Sequence, residues 1–179
     1  MKKIILIPIG KIDEETLGTI KQRLAEIFAW TVDDGCQIEP PRNAYDFKRK
    51  QYQSKAILAA LRALELKEDE RILGVTSVDL YAHRLSSVLG EADAEHRVAL
   101  ISLWRLRQVY RALPGEKKLF SDRAIKEAMH QLGHTYGLGH CWAPRCAMFP
   151  TNSLKDTDTK QAFFCYECHR KLKDKGIIR

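Results

Sequence analysis

The 179-residue sequence predicts an α+β fold, close to the α/β type, in which helices flank a mixed, twisted sheet. Apolar segments follow one another in the order strand, helix, strand, helix, three strands and one long helix. Hydrophobic residues make up 45% of the chain and charged residues 30%, which is typical of a folded domain with a packed core. The length suits a single domain, 1–179, which we divide into an N-terminal subdomain, 1–137, and a small C-terminal subdomain, 138–179.

Two periodicities place the individual elements along the chain. Short apolar or β-branched runs predict strands, and apolar residues at helical spacing predict helices, two of which Asp13 and Ser54 are expected to cap. The predicted strands are 4–9, 35–39, 71–78, 85–91 and 98–104. The predicted helices run from the Asp13 cap to about 30, from 55 to 66, from about 119 to 136, and around 165–173. Residues 43–52 are polar and basic and predict a loop.

Charge and hydropathy argue against two classes of partner. Lys and Arg total 30 and Asp and Glu 23, a formal charge of +7, but the basic residues are interleaved with acidic ones, so nucleic-acid binding is not favoured. The apolar run 4–9 is too short for a signal peptide, and no segment approaches the ~18 apolar residues of a membrane span. We therefore predict a cytoplasmic, monomeric protein without a membrane partner.

A histidine pattern predicts a metal site at the end of the long helix. His130 and His134 are four residues apart and project from one helical face, where both rings can reach one ion. Gly137 offers the left-handed backbone that ends the helix, and His140 can then turn back toward the same ion. Three histidine ligands leave one position of a tetrahedral zinc open, which is typical of a catalytic site.

The cysteines predict a second, structural zinc site. Four of the five lie in the last quarter of the chain as two closely spaced pairs, which matches a closed zinc site: Cys141, Cys146, Cys165 and Cys168. Two disulfides remain an alternative, and His169 is a rival ligand. Cys36 has no partner in sequence and is interpreted as a small buried hydrophobe.

These motifs together resemble the metzincin clan of zinc metalloproteases. The segment 130–140 follows the clan pattern H-E-x-x-H-x-x-G-x-x-H in all but one position, and the cysteines around it resemble those of the archaemetzincins specifically. The resemblance implies a compact metzincin-type domain with a long active-site helix and a zinc-stapled C-terminal lobe. It also implies two zinc ions per chain, a peptide or protein substrate, and Met148 as the Met-turn residue beneath the histidines.

The exception to the family pattern is Gln131, which stands where the family has its general-base glutamate. An amide can orient a water molecule through its carbonyl oxygen, but it cannot take up a proton near neutral pH. Because positioned general bases contribute ~10²–10⁴-fold to a rate, peptide hydrolysis should be weak or absent, although zinc binding should survive. Glu127, one turn earlier, is a possible substitute base, and Tyr136 is a possible oxyanion partner.

Three functions remain open at this point. The first is a zinc metalloprotease whose extended substrate pairs with an edge strand, for which we predict residues 85–91. The second is a pseudoenzyme that binds peptides or carboxylates at its zinc without turnover. The third, suggested only by the charge of +7 and the cysteine cluster, is a nucleic-acid-binding module.

Overall fold

A computed structural model describes residues 2–107 and 114–178 of the chain. Its strands are β1 (Lys3–Ile9), β2 (Thr31–Asp34), β3 (Tyr45–Asp46), β4 (Gln51–Gln53), β5 (Glu70–Thr76), β6 (Leu80–Tyr81), β7 (Gly90–Asp93) and β8 (Val98–Ser102). Its helices are α1 (Glu14–Phe28), α2 (Ser54–Arg62), α3 (Pro114–Thr135), α4 (Leu154–Thr159) and α5 (Tyr166–Asp174). Within the described ranges, no helix is long and apolar enough to cross a membrane.

The main sheet has five strands in the order β2-β1-β5-β8-β7. The first four run parallel, and β7 is antiparallel to β8, so β7 forms one edge of a mixed sheet. A smaller sheet has the order β3-β4-β6. The mixed sheet with flanking helices confirms the predicted fold class, whereas the proposed division into two subdomains stays a prediction.

Side chains of the central strands point alternately to two hydrophobic layers. In β8, Ala99 and Ile101 pack with α1 and α3 on one face of the sheet, whereas Val98 and Leu100 pack with α2 on the other. All five residues of β8 are buried, which explains the uninterrupted apolar run in the sequence. The helix α3 thus rests on β8 and β7, and this packing places its C-terminal half beside the edge strand.

The structure corrects several predicted boundaries. The strand predicted at 35–39 is wrong, because β2 precedes it at Thr31–Asp34, where Val32 is the side chain buried in the core. The loop predicted at 43–52 contains β3 and part of β4, which pair as a short hairpin. The helix α4 was missed, although Ser153 caps it through a hydrogen bond from the Asp156 amide.

Two capping predictions had different outcomes. Asp13 caps α1, since its carboxylate accepts a hydrogen bond from the Thr16 amide at 2.8 Å. Ser54 does not cap α2; it is the first residue of that helix, and its hydroxyl donates to the Tyr81 carbonyl at 3.0 Å. The second helix consequently begins one residue early and ends at Arg62 instead of residue 66.

The edge strand also lies later than predicted. Residues 85–91 were expected to form it, but the strand is β7, Gly90–Asp93, and the two ranges share only Gly90 and Glu91. The segment before β7 crosses from the small sheet to the main sheet, because Val88 bridges to Leu80 while Leu89 accepts a hydrogen bond from Ser102. This crossing segment forms one wall of the site described next.

Candidate metal centre

Two histidines of α3 face each other at close range. His130 is buried and His134 is half-buried, and their Nε2 atoms lie 3.1 Å apart. Two ligands of a tetrahedral zinc with ~2.0 Å bonds are separated by ~3.3 Å. The four-residue spacing on one helix therefore produces the separation that a shared ion requires.

Backbone carbonyls fix which nitrogen of each ring is free. Nδ1 of His130 lies 2.8 Å from the carbonyl oxygen of Ala147, and Nδ1 of His134 lies 2.8 Å from that of Leu138. Because a carbonyl oxygen only accepts, each Nδ1 carries the proton and each Nε2 keeps its lone pair. Burial lowers the pKa of His130 to about 4 and also lowers the pKa of His134, so both rings are neutral near pH 7.

The third histidine reaches the same point because α3 ends abruptly. Gly137 has φ +80°, and the amides of Gly137 and Leu138 donate to the carbonyls of His134 and Gly133, which together form a Schellman motif. The chain then returns, and the ring centroid of His140 lies 5.4 Å from that of His130 and 5.1 Å from that of His134. One nitrogen of each ring lies within 4.8 Å of the others.

Met148 lies under the helix, against Gly133. A Cβ atom on Gly133 would lie 2.3 Å from Sδ of Met148, so the absence of a side chain lets the methionine approach the helix between His130 and His134. Met148 is fully buried, and the neighbouring Ala147 supplies the carbonyl that holds His130. The position fits the floor that the family resemblance assigns to this residue.

We expect Gly133→Ala to destabilise the protein although alanine favours a helix. Helix propensity alone would stabilise the fold by ~1 kcal/mol, but overpacking against buried Met148 costs ~1–3 kcal/mol. The matched control is Gly18→Ala in α1, where no atom lies within 4 Å of an added Cβ. Thermal unfolding should give a lower midpoint for the first variant and a higher one for the second; equal shifts would contradict the packing described.

The four C-terminal cysteines form a second cluster. The Sγ atoms of Cys141, Cys146, Cys165 and Cys168 all lie within 4.8 Å of one another. Sγ of Cys141 lies 3.7 Å from that of Cys165, close to the ~3.8 Å between two sulfurs of a tetrahedral zinc and far too long for a disulfide bond. Cys146 also accepts hydrogen bonds from the amides of Met148 and Cys165.

Exposure and side-chain grouping decide the three remaining predictions about the cysteines and their rival ligand. Cys36 is exposed, so its interpretation as a buried hydrophobe was wrong; it lies beyond the end of β2. His169 is exposed and does not join the cysteine cluster. All five cysteines lie in the described ranges and are free, which argues against the disulfide alternative.

Gln131 lines the cavity that the histidines open into. This cavity has a volume of about 720 Å³, and its walls are the crossing segment 85–89, the start of β7, the loop 150–153 with the first residue of α4, and α3. Glu127, the suggested substitute base, also lines it, and its carboxylate accepts a hydrogen bond from Nε2 of Gln131 at 2.7 Å. Tyr136 instead packs against Phe28 and Trp30, away from the cavity, so it is no candidate for an oxyanion partner.

Glu127 belongs to a buried charge pair that sequence reasoning missed. Its Oε2 atom lies 3.6 Å from Nζ of Lys160, and both side chains are almost fully buried. Burial alone would raise the pKa of Glu127, but Lys160, together with His130 and the Gln131 hydrogen bond, holds it below its usual range. Glu127 is therefore a carboxylate.

Comparison with known proteins shows the family of the chain. Its residues 33–174 match the profile of Peptidase family M54. The chain belongs to this family. It is 41% identical over 179 residues to the archaemetzincin of Methanocaldococcus jannaschii, covering 98% of this chain and 95% of that protein. The resemblance to the archaemetzincins is thereby confirmed, and with it the assignment to the zinc metalloproteases.

Solved structures of the family share the fold. The archaemetzincin of Methanopyrus kandleri superposes with a TM-score of 0.81 at 34% identity, covering 96% of each chain. The Archaeoglobus fulgidus archaemetzincin, crystallised in complex with malonate, gives a TM-score of 0.81 at 33% identity and covers 94% of this chain and 99% of its own. In keeping with a zinc peptidase family, the three histidines and four cysteines described above could hold two zinc ions.

Proposed function

We propose that this M54 peptidase binds an extended peptide along β7, with the scissile carbonyl at a zinc held by His130, His134 and His140. The observation that carries the proposal is a cavity whose lining includes all three histidines and the exposed edge of the sheet. An edge strand offers unpaired backbone groups to a peptide, and the start of β7 lines the cavity. Zinc at this site would supply a Lewis acid that polarises the carbonyl and makes a water molecule more acidic.

The residues around the zinc site favour slow turnover. Gln131 occupies the base position and can accept a hydrogen bond from water, but it cannot take its proton. Glu127, a carboxylate that lines the cavity beside Gln131, is occupied by Gln131 and by Lys160. A second candidate function, binding of peptides or carboxylates without turnover, is favoured by the same arrangement.

Incubation of zinc-loaded protein with a peptide library, read by mass spectrometry, tests this proposal. We expect slow cleavage that disappears in His134→Ala, because that variant loses one of the three ring nitrogens at the site. His83→Ala is the matched control, since His83 is exposed and does not line the cavity. Peptide binding without any cleavage would favour the second candidate, and the absence of both would refute the proposed site.

A cytoplasmic location and a monomeric state also belong to the proposal. The monomeric state has a direct measurement. Light scattering of the purified protein should give a mass near the 20.6 kDa of one chain. A mass of twice that value would show that the protein is a dimer.

A further inference from the structure

The buried ion pair of Glu127 and Lys160 has no role in the proposed binding of peptide and zinc. Glu127 is 2% exposed and Lys160 is 0% exposed. Charges are retained in such surroundings only when they are paired and hydrogen-bonded, because desolvation of each ion costs several kcal/mol. Lys160 follows α4, and its Nζ donates to Oγ1 of Thr151 at 2.6 Å, so the pair ties the loop over the cavity to α3.

Glu127 determines how the amide of Gln131 is oriented. A carboxylate only accepts hydrogen bonds, so the NH₂ group of Gln131 must face Oε1 of Glu127, 2.7 Å away. The carbonyl oxygen of the same amide then faces away from Glu127. A reversed amide would place two oxygen atoms at this short distance, and the negative charge of Glu127 would oppose it.

Packing restricts the same side chain from the opposite direction. A Cβ atom on Gly90 would lie 2.8 Å from Cγ and 3.0 Å from Nε2 of Gln131, so the amide side chain lies directly against the backbone of β7. One N–H of this amide donates to Glu127, and the amide nitrogen also lies against the backbone of Gly90. The carbonyl oxygen is therefore the group of Gln131 that a ligand in the cavity would meet, and it is a hydrogen-bond acceptor.

We propose that Glu127 and Lys160 are positioning residues that fix Gln131 as an acceptor, so that the site selects ligands with a hydrogen-bond donor beside their zinc-binding oxygen. Hydroxamic acids and peptide amides have such a donor. Carboxylates have none, so a carboxylate oxygen would face the carbonyl oxygen of Gln131 and be repelled by it. This inference rests on the proposed zinc site at the three histidines and assigns its ligand class.

The test compares two ligands that share one skeleton, N-acetyl-leucine hydroxamic acid and N-acetyl-leucine, in calorimetric titrations of zinc-loaded protein. We expect the wild type to prefer the hydroxamate by at least about tenfold. A hydroxamate chelates zinc better than a carboxylate in any surroundings, so the contribution of Gln131 is the part of this preference that is lost in the variants. A wild type that binds the carboxylate as tightly as the hydroxamate would overturn the inference.

The decisive variant is Glu127→Gln combined with Lys160→Met, which removes both charges and keeps the local net charge at zero. The amide at 127 accepts or donates equally well, so Gln131 becomes free to turn, and the preference should fall several-fold. Hydrophobic replacement of buried ion pairs is commonly tolerated, which favours folding of this double variant. If the double variant folds and its preference for the hydroxamate is unchanged, Glu127 and Lys160 have no positioning role.

Two further variants separate positioning from general electrostatics. Glu127→Gln alone leaves Lys160 unpaired; if only this variant changes the preference, the charge of Lys160 and not the amide orientation is responsible, and the inference fails. Asp158→Asn is the matched control, since Asp158 pairs with Arg123 on the same helix without contacting Gln131, and it should leave the preference unchanged.

Failure of this inference and failure of the proposed site give different results. If neither ligand binds to protein that carries zinc, or if His134→Ala leaves binding intact, the histidine site itself is refuted. If both ligands bind in a manner that depends on His134 but without preference, only the role of Glu127 and Lys160 is refuted. A Gln131→Leu variant that keeps the full wild-type preference would refute the same role.

Discussion

Gln131→Glu should raise the rate of peptide hydrolysis by ~10²–10⁴-fold, the contribution of a positioned general base. Residue 131 follows His130 directly and lines the cavity, so the new carboxylate would stand where a proton must be taken from water. The new carboxyl group would replace an amide nitrogen that lies 2.7 Å from the Glu127 carboxylate, and this neighbouring negative charge would raise its pKa and make it a stronger base. Zinc content should not change, because the residues grouped to hold the ion are the three histidines and residue 131 is not one of them.

The matched control for this gain is Gln51→Glu. Gln51 is buried to nearly the same extent as Gln131 and likewise donates to a carboxylate, that of Asp79, at 3.0 Å. Gln51 does not line the cavity, so the same chemical change at this glutamine should leave hydrolysis at the wild-type level. If the Gln131→Glu protein holds two zinc ions yet cleaves no peptide in a broad library, the account of residue 131 fails.

Cys168→Ser should reduce the zinc content from two ions to one and destabilise the C-terminal region severely. Structural zinc contributes ~10–16 kcal/mol of apparent binding free energy to folding in small zinc modules, and Cys168 supplies one of four sulfurs of the cluster. Elemental analysis should show the loss of one zinc, and limited proteolysis should cleave within 138–178 much faster than in the wild type.

Cys36→Ser serves as the control, because Cys36 is an exposed thiol outside the cluster. This variant should keep two zinc ions and the wild-type pattern of proteolysis. A Cys168→Ser protein that still holds two zinc ions would show that the cysteines do not bind the second ion.

The sequence predicts the metal centre well because its geometry is local. A spacing of four residues on a helix brings His130 and His134 together whatever surrounds them, and a glycine after the last turn predicts the Schellman ending that returns His140. The three central strands of the main sheet, β1, β5 and β8, are similarly local, since a buried strand such as β8 needs only an uninterrupted apolar run. These are the predictions that the structure bears out.

The parts that the sequence does not predict depend on distant partners. Lys160 lies in a polar segment that also contains Lys155, and nothing near it in sequence indicates that Glu127, 33 positions earlier, lies beside it. The start of the edge strand is set by the bridge from Val88 to Leu80 in the second sheet, so β7 begins later than its apolar pattern suggests. Gly133 offered one usable signal, because glycine inside a helix commonly marks a close approach.

The two metal centres share a short stretch of backbone. Cys146 belongs to one cluster, and its neighbour Ala147 supplies the carbonyl that holds His130 in the other; Cys141 directly follows His140. Ordering these segments at either centre therefore removes part of the entropic cost at its neighbour. Such linkage is reciprocal, so occupancy of each centre should increase the affinity of the other for its ion by the same factor. Metal loading of this protein is thus expected to be cooperative, and a chelator should remove the two ions over a narrower concentration range than two independent sites would give.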